Sequence, residues 1–264
     1  MLGAIFGDIA GSEYEVISTK SKDFDLYSEY SYFTDDTVMT VAVADTILQF
    51  EKITDVDSFK YVLVDRMRKL GNQYPNAGYG GAFKKWLKSD DPQPYNSFGN
   101  GSAMRVSPIA WYAETLEETL MLAAASAEVT HNHPEGIKGA TVVAGAIFLA
   151  RKGESKDEIR AFVEKYYSID FTIEGIRPTY DFDVTCQGSV PQAMVAFLDS
   201  NSFEDCIRNA VSLGGDSDTI AAMAGGVAEA FYGMKQKEIN YALSNLDASI
   251  IRIVDRFCRK YVKK

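Results

Sequence analysis

Residues 214–232 read GGDSDTIAAMAGGVAEAFY. An acidic, hydroxyl-bearing cluster, Gly214 to Thr219, stands directly before an apolar run from Ile220 to Tyr232 that reads as a helix over 217–232. Residues 33–39, FTDDTVM, repeat the design ahead of a helix expected over 35–50. Working outward, the 3.6-residue period recurs. Phe59, Leu63, Met67 and Leu70 share one helical face, as do Ile137, Ala140, Ala144 and Ile147. Leu246, Ile250, Ile253, Phe257 and Tyr261 form a third apolar stripe, with Arg252, Asp255, Arg256, Arg259 and Lys260 on the other sides. Helices are also expected over 116–129, 155–167, 188–199, 202–212 and 236–244. Strand alternation is scarce, and 169–184 (IDFTIEGIRPTYDFDV) reads as an extended loop or a short hairpin. There is no G-x-G-x-x-G after a strand and no P-loop. No low-complexity linker divides the chain, so the expectation is all-α, a single compact multi-helix domain over 1–264. Segments at 3–15, 33–37, 76–81, 95–105, 130–139 and 213–219, all but 33–37 containing glycine, read as non-helical interruptions, where chemistry collects.

Composition narrows the function. The 37 acids against 27 Lys and Arg give a net charge of −10, which disfavours bulk nucleic-acid binding and attachment to anionic membrane. No apolar run has the length of a membrane span. Met1 to Gly11 lacks a basic start and contains Asp8, unlike a signal peptide. Cys186, Cys206 and Cys258 form no C-x-x-C pair, which points to a reducing cytoplasm. His131 and His133 are the only histidines, so zinc chemistry has few ligands here. A metal would be held by oxygen, as magnesium, manganese or calcium are.

The two acidic clusters fit that requirement. Asp, Ser and Thr are ordinary helix caps, and early acids complement the helix dipole. A cap needs one oxygen, however, and each cluster offers at least three. Asp35 and Asp36 also repel one another unless a cation stands beside them. Thr34, Asp35, Asp36, Asp216, Asp218 and Thr219, brought together, would hold two divalent ions, Mg or Mn, able to orient hydroxyls and activate water.

These motifs, in this order, make the chain resemble the ADP-ribosylglycohydrolase family over nearly its whole length. The matching stretches are GAIFGDIAGSEYE at 3–15, FTDDTVM at 33–39, GYGGAF at 78–83 and SFGNGSAMRVSPIA at 97–110. THNHPEGIKGA at 130–140, SVPQAMVAFL at 189–198 and SLGGDSDTIAAMAGGVAEAFYG at 212–233 complete the set. The resemblance implies an all-α fold with a binuclear Mg or Mn centre on the same six residues. It implies removal of ADP-ribose from a modified acceptor by hydrolysis at the anomeric carbon of the distal ribose. Asp35, Asp36, Asp218 and Glu15 would then carry the catalysis. Glu15 matches an acid that gates the metal site in some relatives, and would orient or deprotonate water or steer protonation of the leaving group.

ADP-ribose is an anionic diphosphate, which an acidic protein binds best through backbone N–H groups. Ser97, Phe98, Gly99, Asn100, Gly101 and Ser102 suit this, with Phe98 offering a stacking face for adenine. In relatives this loop contacts the pyrophosphate and adenosine. Gly78 and Gly80, within 76–81, resemble a segment whose backbone joins the phosphate site. His131 is expected to hydrogen-bond the ligand by resemblance, and His133 to cap the helix opened by Pro134. Asp8 is expected to brace the N-terminal loop or to act behind the metal ligands. Arg105 is expected to satisfy buried carbonyls or carboxylates.

The expectation is therefore a cytoplasmic, metal-dependent glycohydrolase acting on an ADP-ribosylated protein or an ADP-ribose-containing small molecule. The alternatives are a non-catalytic ADP-ribose-binding protein of the same fold and a hydrolase of O-acetyl-ADP-ribose. The acceptor linkage, the choice of Mg or Mn and the oligomeric state stay open.

Overall fold

A computed structural model describes residues 1–262, so the last two residues of the expected 1–264 domain lie outside the described residues. Among the described residues the chain forms fifteen α-helices. The first six are α1 (Leu2–Val16), α2 (Asp35–Ile47), α3 (Val56–Gln73), α4 (Gly81–Lys88), α5 (Gly101–Met104) and α6 (Ser107–Tyr112). Then follow α7 (Leu116–Glu128), α8 (Pro134–Lys152), α9 (Lys156–Val163), α10 (Ile173–Ile176) and α11 (Cys186–Leu198). The last four are α12 (Phe203–Val211), α13 (Ser217–Tyr232), α14 (Gln236–Ser244) and α15 (Ala248–Tyr261). No β-strand occurs among the described residues, and the expected all-α class is the one observed. Among the described residues no helix is long and apolar enough to cross a membrane.

Burial explains the layering. Every residue of α13 from Ser217 to Glu229 is buried, as is every residue of α2 from Asp36 to Ile47. A helix apolar on all sides belongs inside a bundle. The central α13 packs against α1, α8, α11 and α12, while α2 packs against α3, α6 and α15. The striped helices stand outside. On α3 only Phe59, Leu63, Met67, Leu70 and Gly71 are buried, and on α15 only Ile250, Val254 and Phe257. Polar caps start these helices: Asp55 accepts from the amides of Asp57 and Ser58, and Ser155 forms a reciprocal capping box with Glu158.

The expectation of a non-helical N-terminal segment over 3–15 is overturned. Glycine is a poor helix former, costing about 1 kcal/mol relative to alanine, and three of them suggest a loop. Here Gly3, Gly7 and Gly11 fall at i, i+4 and i+8 on one face of α1, and that face lies directly on α13. A Cβ on Gly3 would stand 2.3 Å from the Gly225 carbonyl oxygen, one on Gly7 2.1 Å from the Ala221 oxygen, and one on Gly11 2.5 Å from the Asp218 Cα. Close backbone packing compensates the propensity cost. This contact sets where α1 delivers its acids.

The helices α4, α5 and α6 also arise inside or beside segments read as loops, because each is only one or two turns and too short for a periodic signal. The 169–184 segment forms no hairpin: it holds the single turn α10 and then runs extended. An isolated antiparallel bridge joins Gly99 to Thr185. Around it the Asn100 amide donates to the Val184 carbonyl at 2.8 Å and the Cys186 amide to the Phe98 carbonyl at 2.9 Å.

Candidate active site

Three helices point their acids at one place. Asp8 comes from the middle of α1 and Glu15 from its last turn. Asp35 and Asp36 open α2, with Thr34 as its cap, and Asp216 immediately precedes α13, making no side-chain capping bond, with Asp218 in the first turn. Two consecutive left-handed glycines, Gly214 (φ 69°) and Gly215 (φ 71°), turn the chain sharply from α12 into α13 and deliver Asp216. Oxygens of Asp8, Asp36 and Asp218 lie within 4.8 Å of one another, and so do oxygens of Glu15, Asp216 and Asp218.

Hydrogen bonds fix the group. One Asp8 oxygen accepts from the Thr34 hydroxyl at 2.7 Å, and the other accepts from the amides of Thr34 and Thr37, both at 3.0 Å. Asp8 thus ties the start of α2 to α1, while one of its oxygens also belongs to the acidic group. Thr219 donates its hydroxyl to Asp36 at 3.0 Å, linking α13 to α2. The Asn100 side-chain amide donates to Asp216 at 2.5 Å and to the Ser189 hydroxyl at 3.1 Å. The Asp35 amide donates to the Ala77 carbonyl at 2.7 Å, which draws the 76–81 segment alongside.

Neutralising charge is missing from this arrangement. Among the described residues none of the six carboxylates enters a salt bridge. Burial raises the Asp8 carboxyl above its ordinary range, and burial together with neighbouring aspartates raises Asp36 and Asp218 well above theirs. Asp35 is pushed up to about 8 by burial and by Asp8. Burial raises Asp216 against the opposing Asn100 hydrogen bond. Glu15 is raised by loss of solvation and by Asp216. One Asp36 oxygen is sealed from solvent with no hydrogen-bond partner. An orphaned carboxylate oxygen amid uncompensated acids and hydroxyls, with no sulfur or imidazole in the group, is a donor set suited to hard divalent cations.

All of these acids except the fully buried Asp8 line a cavity of about 460 Å³. All six residues expected to hold metal, Thr34, Asp35, Asp36, Asp216, Asp218 and Thr219, line it, as does Glu15. One wall is 76–81, including Gly78 (φ 105°), where a Cβ would crowd Asp35 Oδ1 at 3.1 Å, and Gly80. The facing wall carries Ser97, Gly99, Asn100, Gly101 and His131. Two residues of the expected binding loop lie elsewhere. Ser102 is fully buried and donates to the Gly136 carbonyl at 2.7 Å, which ties α5 to α8. Phe98 is 46% exposed outside the cavity lining, its ring set edge-on to His133 at 5.4 Å. His133 accepts the Glu135 amide through Nδ1 at 3.1 Å and so caps α8. Arg105 reaches carbonyls and a hydroxyl and has no carboxylate partner.

Sequence reading did not find Tyr32, Tyr95, Phe182 and Val184, which also line the cavity. Tyr32 and Phe182 are half exposed at 51% and 53%. They sit in irregular segments without helical or strand period, where sequence assigned them no role, so only the folded chain reveals their position. Tyr32 had a weak signal in its nearness to the Thr34 cluster.

A family model described as ADP-ribosylglycohydrolase matches residues 1–261. The chain is 29% identical to the ADP-ribosylhydrolase ARH3 of Mus musculus, over 89% of this chain and 83% of that one. It is 30% identical to the ARH3 of Gallus gallus, over 77% and 71% of the two chains. It is 27% identical to the ADP-ribosylarginine hydrolase Tri1 of Pseudomonas putida (strain GB-1), over 89% and 70%. Among solved structures, one titled ADP-ribosylglycohydrolase-related protein complex shares the fold, with a TM-score of 0.71 over 98% of this chain and 96% of that one, at 24% identity.

Proposed function

The chain belongs to the ADP-ribosylglycohydrolase family and is a glycohydrolase, and on that premise we propose that it releases ADP-ribose from a modified acceptor with the help of two divalent cations, Mg or Mn. The acceptor is a protein side chain or a small molecule, and the bond broken joins it to the anomeric carbon of the distal ribose. The observation that carries this reading is the convergence of five carboxylates, Glu15, Asp35, Asp36, Asp216 and Asp218, from α1, α2 and α13 on one cavity, with the fully buried Asp8 packed against Asp36 and Asp218. Thr34, Asp35, Asp36, Asp216, Asp218 and Thr219 would hold the ions. When bound, the ions would supply positive charge that orients ribose hydroxyls and lowers the pKa of water.

The chain's own residues then divide the remaining work. Asp8 fixes the entry of α2 through three hydrogen bonds and thereby fixes Asp35 and Asp36. Asn100 and Thr219 orient Asp216 and Asp36 by donating to them. Positive charge develops on the ribose as the glycosidic bond breaks, and carboxylates held nearby stabilise it. Glu15 lines the cavity, where loss of solvation and Asp216 raise its pKa above the ordinary carboxylate value, and it is the acid placed to exchange a proton with water or the leaving group. The glycines of 76–81 and 99–101 let backbone approach the diphosphate closely. The free cysteines Cys186, Cys206 and Cys258 support action in the cytoplasm.

Arginine-, serine- and O-acetyl-linked ADP-ribose, each assayed with Mg and with Mn, test the reading and rank the acceptors. Free ADP-ribose should be the product, and excess chelator should stop its release. Cleavage within the diphosphate, or full turnover in chelator, would overturn the mechanism. Metal-dependent ADP-ribose binding with no turnover on any acceptor would leave a binding protein.

A further inference from the structure

Arg105 is 1% exposed and enters no salt bridge among the described residues. Its guanidinium instead donates to three oxygens: the Gly101 carbonyl at 3.1 Å, the Ser126 carbonyl at 2.7 Å and the Thr130 hydroxyl at 2.9 Å. The Thr130 hydroxyl in turn lies 2.7 Å from His131 Nδ1. A guanidinium N–H can only donate, so the Thr130 oxygen accepts from it. The hydroxyl still has its own proton to place, and Nδ1 is the acceptor it reaches. An accepting Nδ1 carries no proton, and a neutral imidazole then carries its proton on Nε2. Nε2 faces the cavity wall: a Cβ on Gly101 would lie 3.1 Å from it and one on Gly99 3.6 Å. Among the described residues Nε2 has no hydrogen-bond partner, although His131 lines the cavity.

We propose that Arg105 and Thr130 are positioning residues that lock His131 as its neutral Nε2–H tautomer, so that the 99–101 wall presents one pre-set hydrogen-bond donor to an anionic oxygen of the ligand. The proposal rests on reading the cavity as an ADP-ribose site. Two further facts agree with it. Burial and the adjacent Arg105 charge hold the His131 pKa well below its ordinary value, so the ring stays neutral across physiological pH. Arg105, which is 1% exposed and itself belongs to the cavity lining, also leaves a positive charge there that is without a carboxylate partner among the described residues, which favours an anion in the cavity. A pre-set donor loses little entropy and needs no proton shift when the ligand arrives.

The chain has only two histidines, so the tautomers are directly observable. Long-range nitrogen-15 to proton NMR of the wild type, with H133Q to assign the signals, should show His131 protonated at Nε2 and bare at Nδ1. Protonation at Nδ1 in the wild type overturns the proposal, whatever the enzyme hydrolyses. T130V keeps the side-chain size and removes the hydroxyl; T130S keeps the hydroxyl. T130V should change the His131 nitrogen shifts and weaken ADP-ribose binding by about 5–20-fold, with cation binding unchanged, and T130S should restore both. Unchanged shifts and affinity in T130V would refute the lock. If the wild type fails to bind ADP-ribose while showing Nε2–H, the substrate reading fails and the tautomer lock stands.

Discussion

Gly7→Ala probes the contact on which the site depends. In an exposed helix this change would stabilise the protein by up to about 1 kcal/mol. At position 7 the added carbon would stand 2.1 Å from the Ala221 carbonyl oxygen and 2.3 Å from its carbon. That is about 1 Å inside van der Waals contact, and the neighbours are helix backbone that cannot rotate away. Gly3 and Gly11 pin α1 to α13 on either side, so α1 cannot tilt to relieve the clash at one point. Overpacking of this kind costs roughly 1–3 kcal/mol and offsets the propensity gain. A net loss of about 1 kcal/mol corresponds to a Tm lower by roughly 2–4 °C for a chain of this size. The functional loss should exceed the stability loss, because separation of α1 from α13 moves Asp8 from Asp218, whose oxygens now meet within 4.8 Å. The assay pairs thermal unfolding with calorimetric titration of Mg and Mn. G81A is the control, since a Cβ there meets nothing within 4 Å. A G7A protein with wild-type Tm and wild-type cation affinity would refute the account of α1 as the element that sets the acidic group.

Asp36→Asn should raise the Tm of the metal-free protein, by about 1 kcal/mol of relieved repulsion, while abolishing the Tm increase on adding Mn and abolishing hydrolysis; a destabilised metal-free D36N would contradict the uncompensated charge. The pH dependence follows from Asp35, pushed from an ordinary 3.8 to about 8. The fold favours its protonated form, so that contribution is full below 3.8 and is lost as pH rises through about 8. The stability gap between metal-loaded and metal-free protein should therefore widen with rising pH over that window, and calorimetry in buffers of different ionisation enthalpy should detect proton release on cation binding below about pH 8. Asn100→Ala removes the donor to Asp216 and should lower cation affinity by about tenfold; an unchanged titration would mean that Asp216 needs no such support. Ser102→Ala should cost about 1 kcal/mol of stability through the lost bond to Gly136 and leave ADP-ribose affinity intact, which distinguishes a tie between helices from a ligand contact.

Much of the site was legible because its chemistry is local. Asp35 and Asp36 are adjacent, Asp216 and Asp218 are separated by one residue, and both pairs precede apolar runs, so their position at helix starts follows from capping and period. Asp8 and Glu15 were harder. Both sit on a helix whose glycines read locally as breaks, and the compensation for those glycines comes from α13, more than 200 residues away. The spacing of Gly3, Gly7 and Gly11 by four was the available signal for a helix face built for close approach. The 97–102 loop shows the opposite error: all six residues were expected to face the ligand, yet Ser102 turns to Gly136 and Phe98 to His133. A turn alternates its side chains between directions that only neighbouring helices determine.

By itself the amino-acid sequence determined the helical class and the kind of atom that lines the site. Period 3.6 and two acid clusters are properties of short segments, and a chain with two histidines has little but oxygen to offer a metal. Tertiary structure alone decided which acids meet, how closely α1 approaches α13, and that the Thr130 hydroxyl stands beside His131 Nδ1. The first two depend on distances between groups far apart in the chain and the third on the Arg105 guanidinium that holds the Thr130 hydroxyl, all set by packing that no local pattern encodes.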